Sequence, residues 1–386
     1  MLFRSKTMAP LLEKFNQANP SFVLKYEEKD KDTFNQDLLE AIASKRGPDM
    51  FLLTQDFAYN YTNKIVPIPY KTLSLADFRN TFASAGEVFL SNNGILAIPL
   101  VIDPILLYYN RSMLDAAGIT NPPSTWEDFI TDTGKLTIKD EQGKILKSGA
   151  GLGHYTNVVH AKDILAMLFM QTGNKIVSTA SGLSPTSVLG DTVNGVDPAT
   201  VLQFYSDFAN PLKQSYAWNK SFPDSRSAFA SEDLAFYFGY ASELGSLINQ
   251  NPNQNFSVAM VPQIRGANFK LTSARVTGVA ISSFSQNLNT AYIAAMNMAS
   301  QDFAVGLAQA LSIAPAKRGL LSQKQTDAFL PVVYSSALVA QSWLDPSASN
   351  TESIFRGMIE GVVTNTKTPR EAVQDADTRL QLLLSK

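Results

Sequence analysis

The chain has 386 residues, enough for two cores of ordinary size, and its 45% hydrophobic and 17% charged residues exclude a disordered or low-complexity protein. A formal net charge of −2 with scattered Lys and Arg excludes a basic surface for nucleic acid or anionic membrane, and no apolar run reaches the roughly 18 residues of a membrane-spanning helix. The absence of cysteine excludes disulfides, thiolate zinc sites and cysteine nucleophiles, though it leaves the compartment open.

Met1 is followed almost at once by Arg4-Ser5-Lys6, so no leader is visible. Met8, Leu11, Leu12 and Phe15 recur at helical spacing and predict a helix over 7–19, stopped by Asn19-Pro20. Alternation over 22–26 predicts a strand. A second helix follows over 32–44, with Phe34, Leu38, Leu39 and Ile42 on one face, and a short apolar strand over 50–53. This helix–strand series normally opens on a strand, yet only Leu2 and Phe3 precede the first helix. The expectation is a chain that starts inside its own first strand, with a leader and strand lost upstream.

Residues 95–109 form a long apolar run interrupted by Pro99 and Asp103-Pro104, which predicts two strands meeting at Asp103 rather than one central strand. A helix over 110–118 closes on Gly118, Pro122-Pro123 makes a rigid turn, Thr125 caps the next helix, and a hairpin over 139–145 turns at Gln142-Gly143. Helices are predicted over 163–172, 198–208 and 227–232, and strands over 234–238, 257–261 and 276–282. The rest is helix, over 291–298, 301–311, 353–363 and 370–384, with no internal repeat. Helices alternating with strands predict an α/β fold with mostly parallel sheets flanked by helices.

The order of motifs resembles the maltose-binding-like family of ABC-importer solute-binding proteins from about residue 2 to the C-terminus. The resemblance is carried by Met8-Ala9-Pro10-Leu11-Leu12-Glu13-Lys14-Phe15, Gly47-Pro48-Asp49-Met50-Phe51, Ala97-Ile98-Pro99-Leu100 and Leu107-Tyr108-Tyr109-Asn110. It continues through Pro122-Pro123-Ser124-Thr125-Trp126-Glu127-Asp128-Phe129, Phe229-Ala230, Gly278-Val279-Ala280-Ile281-Ser282, Ala314-Pro315-Ala316-Lys317-Arg318 and Thr368-Pro369-Arg370-Glu371-Ala372. The resemblance implies a two-lobe periplasmic-binding-protein fold with three crossovers. Lobe I is then residues 1–103 with 277–315, lobe II residues 104–276 with 316–386, and the ligand lies between them. It also implies an extracytoplasmic monomer that binds a small polar solute, a sugar or oligosaccharide, and passes it to membrane permease subunits. No cofactor is expected.

A neutral sugar is gripped by aromatic faces and planar polar groups, so such residues at loop tips and crossovers are the candidates. Gln55, Asp56 and Tyr59 follow the strand over 50–53. Asp103 is a lone carboxylate at a crossover, where the resemblance places an acidic ligand-binding residue; the alternative is a hinge cap bonding backbone N–H groups. Arg275 and Gly278 lie at the second crossover, Arg275 facing ligand, Asp103 or solvent. His154 and Asn157 fall in the loop that opens the helix over 163–172. Trp218 stands in an aperiodic polar stretch, Tyr240 at a strand end, and Trp343 before Asp345-Pro346, as ligand platform or as lid over a core. Trp126 is set aside as a helix-packing anchor. His154 and His160 share no helix face and have no carboxylate cluster, so no metal site is expected. The rival reading is a glycoside-cleaving enzyme using Asp56 and Asp103; a further alternative is a binding subunit serving a sensor.

Overall fold

A computed structural model describes residues 3–30, 33–44, 46–179 and 184–385. Leu2, expected in the tail of a first strand, and Asp32, expected at the start of the second helix, lie outside them. Helices Ser5–Ala18, Phe34–Ala43, Trp126–Leu136, Ala161–Gln171, Pro198–Asp207, Gln301–Leu311, Ala348–Val363 and Pro369–Leu384 stand close to their expected places. Three of these starts are held by side chains that satisfy otherwise unpaired N–H groups: Thr125 Oγ1 accepts from the Asp128 N–H at 3.3 Å, Asp197 Oδ1 accepts from the Ala199 N–H at 2.9 Å, and Thr368 and Glu371 form a reciprocal capping box. Residues 22–26 form no strand. Leu24 gives its N–H to Asn16 Oδ1 at 2.8 Å and takes Asn16 Nδ2 on its carbonyl at 2.9 Å, so a side chain stands where a ladder partner was expected.

The central sheet runs in the order Met50–Thr54, Thr272–Ile281, Ile98–Asn110, Leu234–Tyr240, Ile145–Ala150, Ile138–Lys139. Phe256–Ala259 and Ala314–Pro315 also pair with Ile98–Asn110, and Ala340–Gln341 with Thr272–Ile281. Among the described strands of this sheet, only Ile145–Ala150 with Leu234–Tyr240 and Ala340–Gln341 with Thr272–Ile281 pair in parallel. The sheet is therefore mixed rather than mostly parallel, because its two longest strands form an antiparallel pair and residues 22–26 supply no parallel neighbour.

Residues 98–110 are one strand of 13 residues, not two meeting at Asp103. Both prolines sit where a missing N–H is tolerated. Pro99 lies beside a register shift between Thr277 and Gly278, and Pro104 lies where the strand exchanges partners. Residues 98–104 pair with Thr272–Ile281, and Val101 and Ile102 also with Ala314–Pro315; from Ile105 onward the partners are Leu234–Tyr240 and Phe256–Ala259. Every residue of this strand but Tyr109 is buried, which explains the unbroken apolar run in the sequence. One continuous apolar cluster joins the helices at both ends of the strand.

Candidate ligand-binding cleft

The partner exchange at Pro104 places Asp103 and Arg275 opposite each other on the two long strands. Asp103 is only 3% exposed, and both carboxylate oxygens are engaged: Ser242 donates its N–H to Oδ1 at 3.0 Å and its hydroxyl to Oδ2 at 2.6 Å. Burial pushes this carboxyl up to about 6, against the opposing pull of the Ser242 donors and of Arg275. Arg275 keeps 46% of its side chain exposed. Its guanidinium carbon lies 3.9 Å over the Tyr240 ring, and Nη2 is 3.5 Å from Asp163 Oδ2.

Beneath Arg275 the support is polar and closely packed. Tyr240, 1% exposed, ends strand Leu234–Tyr240, and burial raises its phenol well above its ordinary value. His160 meets its ring edge-on at 4.7 Å. A left-handed backbone at His160, φ 64°, opens helix Ala161–Gln171 and turns the imidazole toward Glu243, whose Oε1 is 2.6 Å from Nε2. Glu243 also accepts from the Tyr237 hydroxyl at 2.6 Å and the Tyr240 N–H at 2.9 Å, and Arg226 lies 3.5 Å away. Burial alone pushes the Glu243 carboxyl up; its contacts with His160, Tyr237 and the Tyr240 N–H outweigh that and hold it below its usual value.

From the Met50–Thr54 side, Gln55 Oε1 accepts from the Val276 N–H at 3.1 Å, and the Thr54 hydroxyl holds Asp56. Asp56, Asp103 and Asp163 all act on the Arg275 charge. The structure thus gathers Gln55, Asp56, Asp103, Tyr240 and Arg275. It adds His160, Asp163, Ser242 and Glu243, which sequence reasoning passed over. Ser242 and Glu243 follow directly on Tyr240 at the strand end, and that proximity was the available signal. An exposed cation flanked by carboxylates and backed by a buried ring offers directed hydrogen bonds to a polar ligand.

Other expected site residues lie elsewhere. Trp218 is fully buried, stacked on Phe222 at 4.5 Å, with Nε1 donating to Asn157 Oδ1 at 3.1 Å; neither ring face is left for a ligand platform. Asn157 is spent on the same loop, donating through Nδ2 to the Asn219 and Phe222 carbonyls at 3.0 and 3.2 Å. His154 is buried, with Glu360 and Lys220 as its neighbouring charges; burial lowers its imidazole below the ordinary value, and Nδ1 has no partner among the described residues. Tyr59 gives its hydroxyl to the Leu384 carbonyl. Gly278 is a packing position, since a Cβ there would sit 2.8 Å from the Ile98 carbonyl oxygen. Trp343 is 7% exposed and faces Phe355, the lid alternative. Trp126 anchors its helix through Nε1 to Gln171 Oε1 at 2.7 Å. Two surface depressions of about 460 and 310 Å³ flank helix Pro198–Asp207 and include none of the cleft residues.

Residues 11–339 match the family described as bacterial extracellular solute-binding protein. A binding protein of Brucella abortus (strain 2308) is 24% identical over 126 residues, 32% of this chain and 30% of that relative, so the match spans less than a third of the relative's length. Among solved structures, the sugar-binding protein MalE from Xanthomonas citri superposes with a TM-score of 0.76 at 17% identity, covering 99% of this chain and 95% of that one. A cyclo/maltodextrin-binding protein complexed with maltotetraose gives 0.76 at 14% identity, over 98% and 93% of the two chains. UgpB from Mycobacterium tuberculosis in complex with glycerophosphocholine gives 0.74 at 15%, over 99% and 95%. At these identities the structural likeness establishes the fold, the two-lobed one. With 11–339 taking in most of the chain, both long strands included, the chain belongs to the bacterial extracellular solute-binding protein family.

Proposed function

We propose that the chain is the extracytoplasmic substrate-binding component of an ABC importer, a monomer that closes around a small neutral polar ligand, a sugar or short oligosaccharide, and delivers it unchanged to membrane permease subunits. The lobes are residues 1–103 with 277–315 and 104–276 with 316–386, hinged on strands Ile98–Asn110 and Thr272–Ile281. The observation that carries this reading is Arg275: a half-exposed cation at the exchange point of the sheet, with Gln55 and Asp56 on one side and Asp163 and Tyr240 on the other. Carboxylates and amides placed this way suit hydroxyl groups, and closure adds the second lobe's contacts to those of the first. The maltotetraose in one structural neighbour supports a sugar.

Asp103 is 3% exposed and holds Ser242 through both oxygens, which speaks against its reaching a glycosidic bond as one of the two carboxylates of the glycoside-cleaving alternative. A thermal-shift screen of the purified protein against mono-, di- and oligosaccharides tests the proposal. At least one sugar raises the melting temperature, Arg275→Met abolishes that shift, and the sugar is recovered intact. Recovery of hydrolysed sugar, or a shift untouched in Arg275→Met, would overturn it.

A further inference from the structure

Tyr59 and Asn60 are adjacent in sequence, yet each reaches a backbone carbonyl almost at the other end of the chain. The Tyr59 hydroxyl donates to Leu384 O at 2.9 Å, and Asn60 Nδ2 donates to Pro346 O at 2.7 Å. Both donors sit in the turn that leaves helix Gln55–Ala58, directly beyond the two residues that approach Arg275. Both acceptors belong to the C-terminal segment, which the proposed division assigns to the other lobe.

Each side of this bridge is mounted on a fixed support. Ala58 and Tyr61, on either side of the donors, are buried, and the Tyr61 hydroxyl is held by Asn35 Oδ1 at 2.9 Å. Pro346 follows Asp345, which is 4% exposed and pinned by Lys162 Nζ at 2.9 Å and the Thr351 hydroxyl at 2.9 Å. Leu384 lies in the last turn of helix Pro369–Leu384, where carbonyls lack intrahelical partners and accept from outside. The bridge contains no charge, so it is insensitive to salt and to pH near neutrality.

We infer that Tyr59 and Asn60 form a latch that holds the two lobes together in the absence of ligand and so sets how much of the free protein is ready to bind. The inference rests on the two-lobed reading above. A ligand's apparent affinity scales with the fraction of protein already in the binding-competent arrangement, so residues that never touch the ligand tune its Kd. Two neutral hydrogen bonds shift such an equilibrium on the order of tenfold.

The test needs no ligand. Small-angle scattering of the wild type and of the Tyr59→Phe/Asn60→Ala double variant is compared without additives, with circular dichroism as the check on folding. Phe keeps the ring and Asn60 is exposed, so the core is untouched. The variant's radius of gyration rises while its dichroism spectrum stays that of the wild type. A merely structural role lowers the melting temperature without moving the radius of gyration; an unchanged radius of gyration in the folded variant overturns the latch. Should the double variant fail to fold, Asn60→Ala alone must show the rise. A rise in a protein that no sugar stabilises leaves the latch standing and sinks the sugar reading, so the two failures are distinguishable.

Discussion

Asp103 is a carboxyl with every oxygen satisfied and almost no water, and its titration therefore bears on stability. Burial lifts it from 3.8 to about 6, so between those values the folded chain holds a proton that the unfolded chain has released. Its contribution to stability is full at acid pH, falls as pH rises through that window, and stays reduced above it. Asp103→Asn keeps an acceptor for the Ser242 N–H and removes the charge. The variant is expected to match the wild type near pH 4 and to exceed it by about 1–3 kcal/mol at pH 7.5. Urea unfolding at pH 4, 6 and 7.5 reads the difference; a gap that does not grow with pH refutes the assignment. Sequence reasoning reached Asp103 because a lone acid in an apolar run is costly unless paired. It mistook Trp218, because the stretch around it has no periodicity and the partners that bury it, Phe222 stacked on one face and Asn157 from a distant loop, leave no pattern along the chain.

At the scale of the element, strand Ile98–Asn110 was misread for the opposite reason. The rule against proline in a central strand is sound where a neighbour needs the N–H, and here a register shift and a change of partners lift that need at both prolines. Long helices were legible from spacing and caps, with Gln301–Leu311 found at its expected bounds. Residues 22–26 alternate but find a side chain as partner, which no local pattern records. Gly278 exposes how tight the register shift is. A methyl group there meets the Ile98 carbonyl at 2.8 Å and the Phe89 ring at 2.9 Å, and a ladder carbonyl has little room to yield. Gly278→Ala is expected to lower stability by about 1–3 kcal/mol with ligand affinity retained. Chemical denaturation and a titration with whichever sugar binds check both halves, and lost affinity at unchanged stability would return Gly278 to the cleft.

For the molecule as a whole, the question is whether the lobes melt together. Two-lobed chains of this length commonly show separate transitions, since each lobe has its own helices. Under the proposed division both long strands pass from one lobe to the other, so unfolding either lobe strips Ile98–Asn110 of its neighbours over half its length and opens an apolar cluster that continues on both sides of the partner exchange. At about 25 cal/mol per Å² of apolar surface, exposing half of that buried strand costs several kcal/mol, a large part of the roughly 5–15 kcal/mol of net stability that a folded domain has. A single calorimetric transition is therefore expected, with van't Hoff and calorimetric enthalpies in agreement. Ligand stabilises that one transition as a unit, by about 2.7 kcal/mol at a hundredfold excess over Kd. Two resolved peaks, or ligand shifting only part of the unfolding signal, would mean that the shared strands transmit too little to couple the lobes.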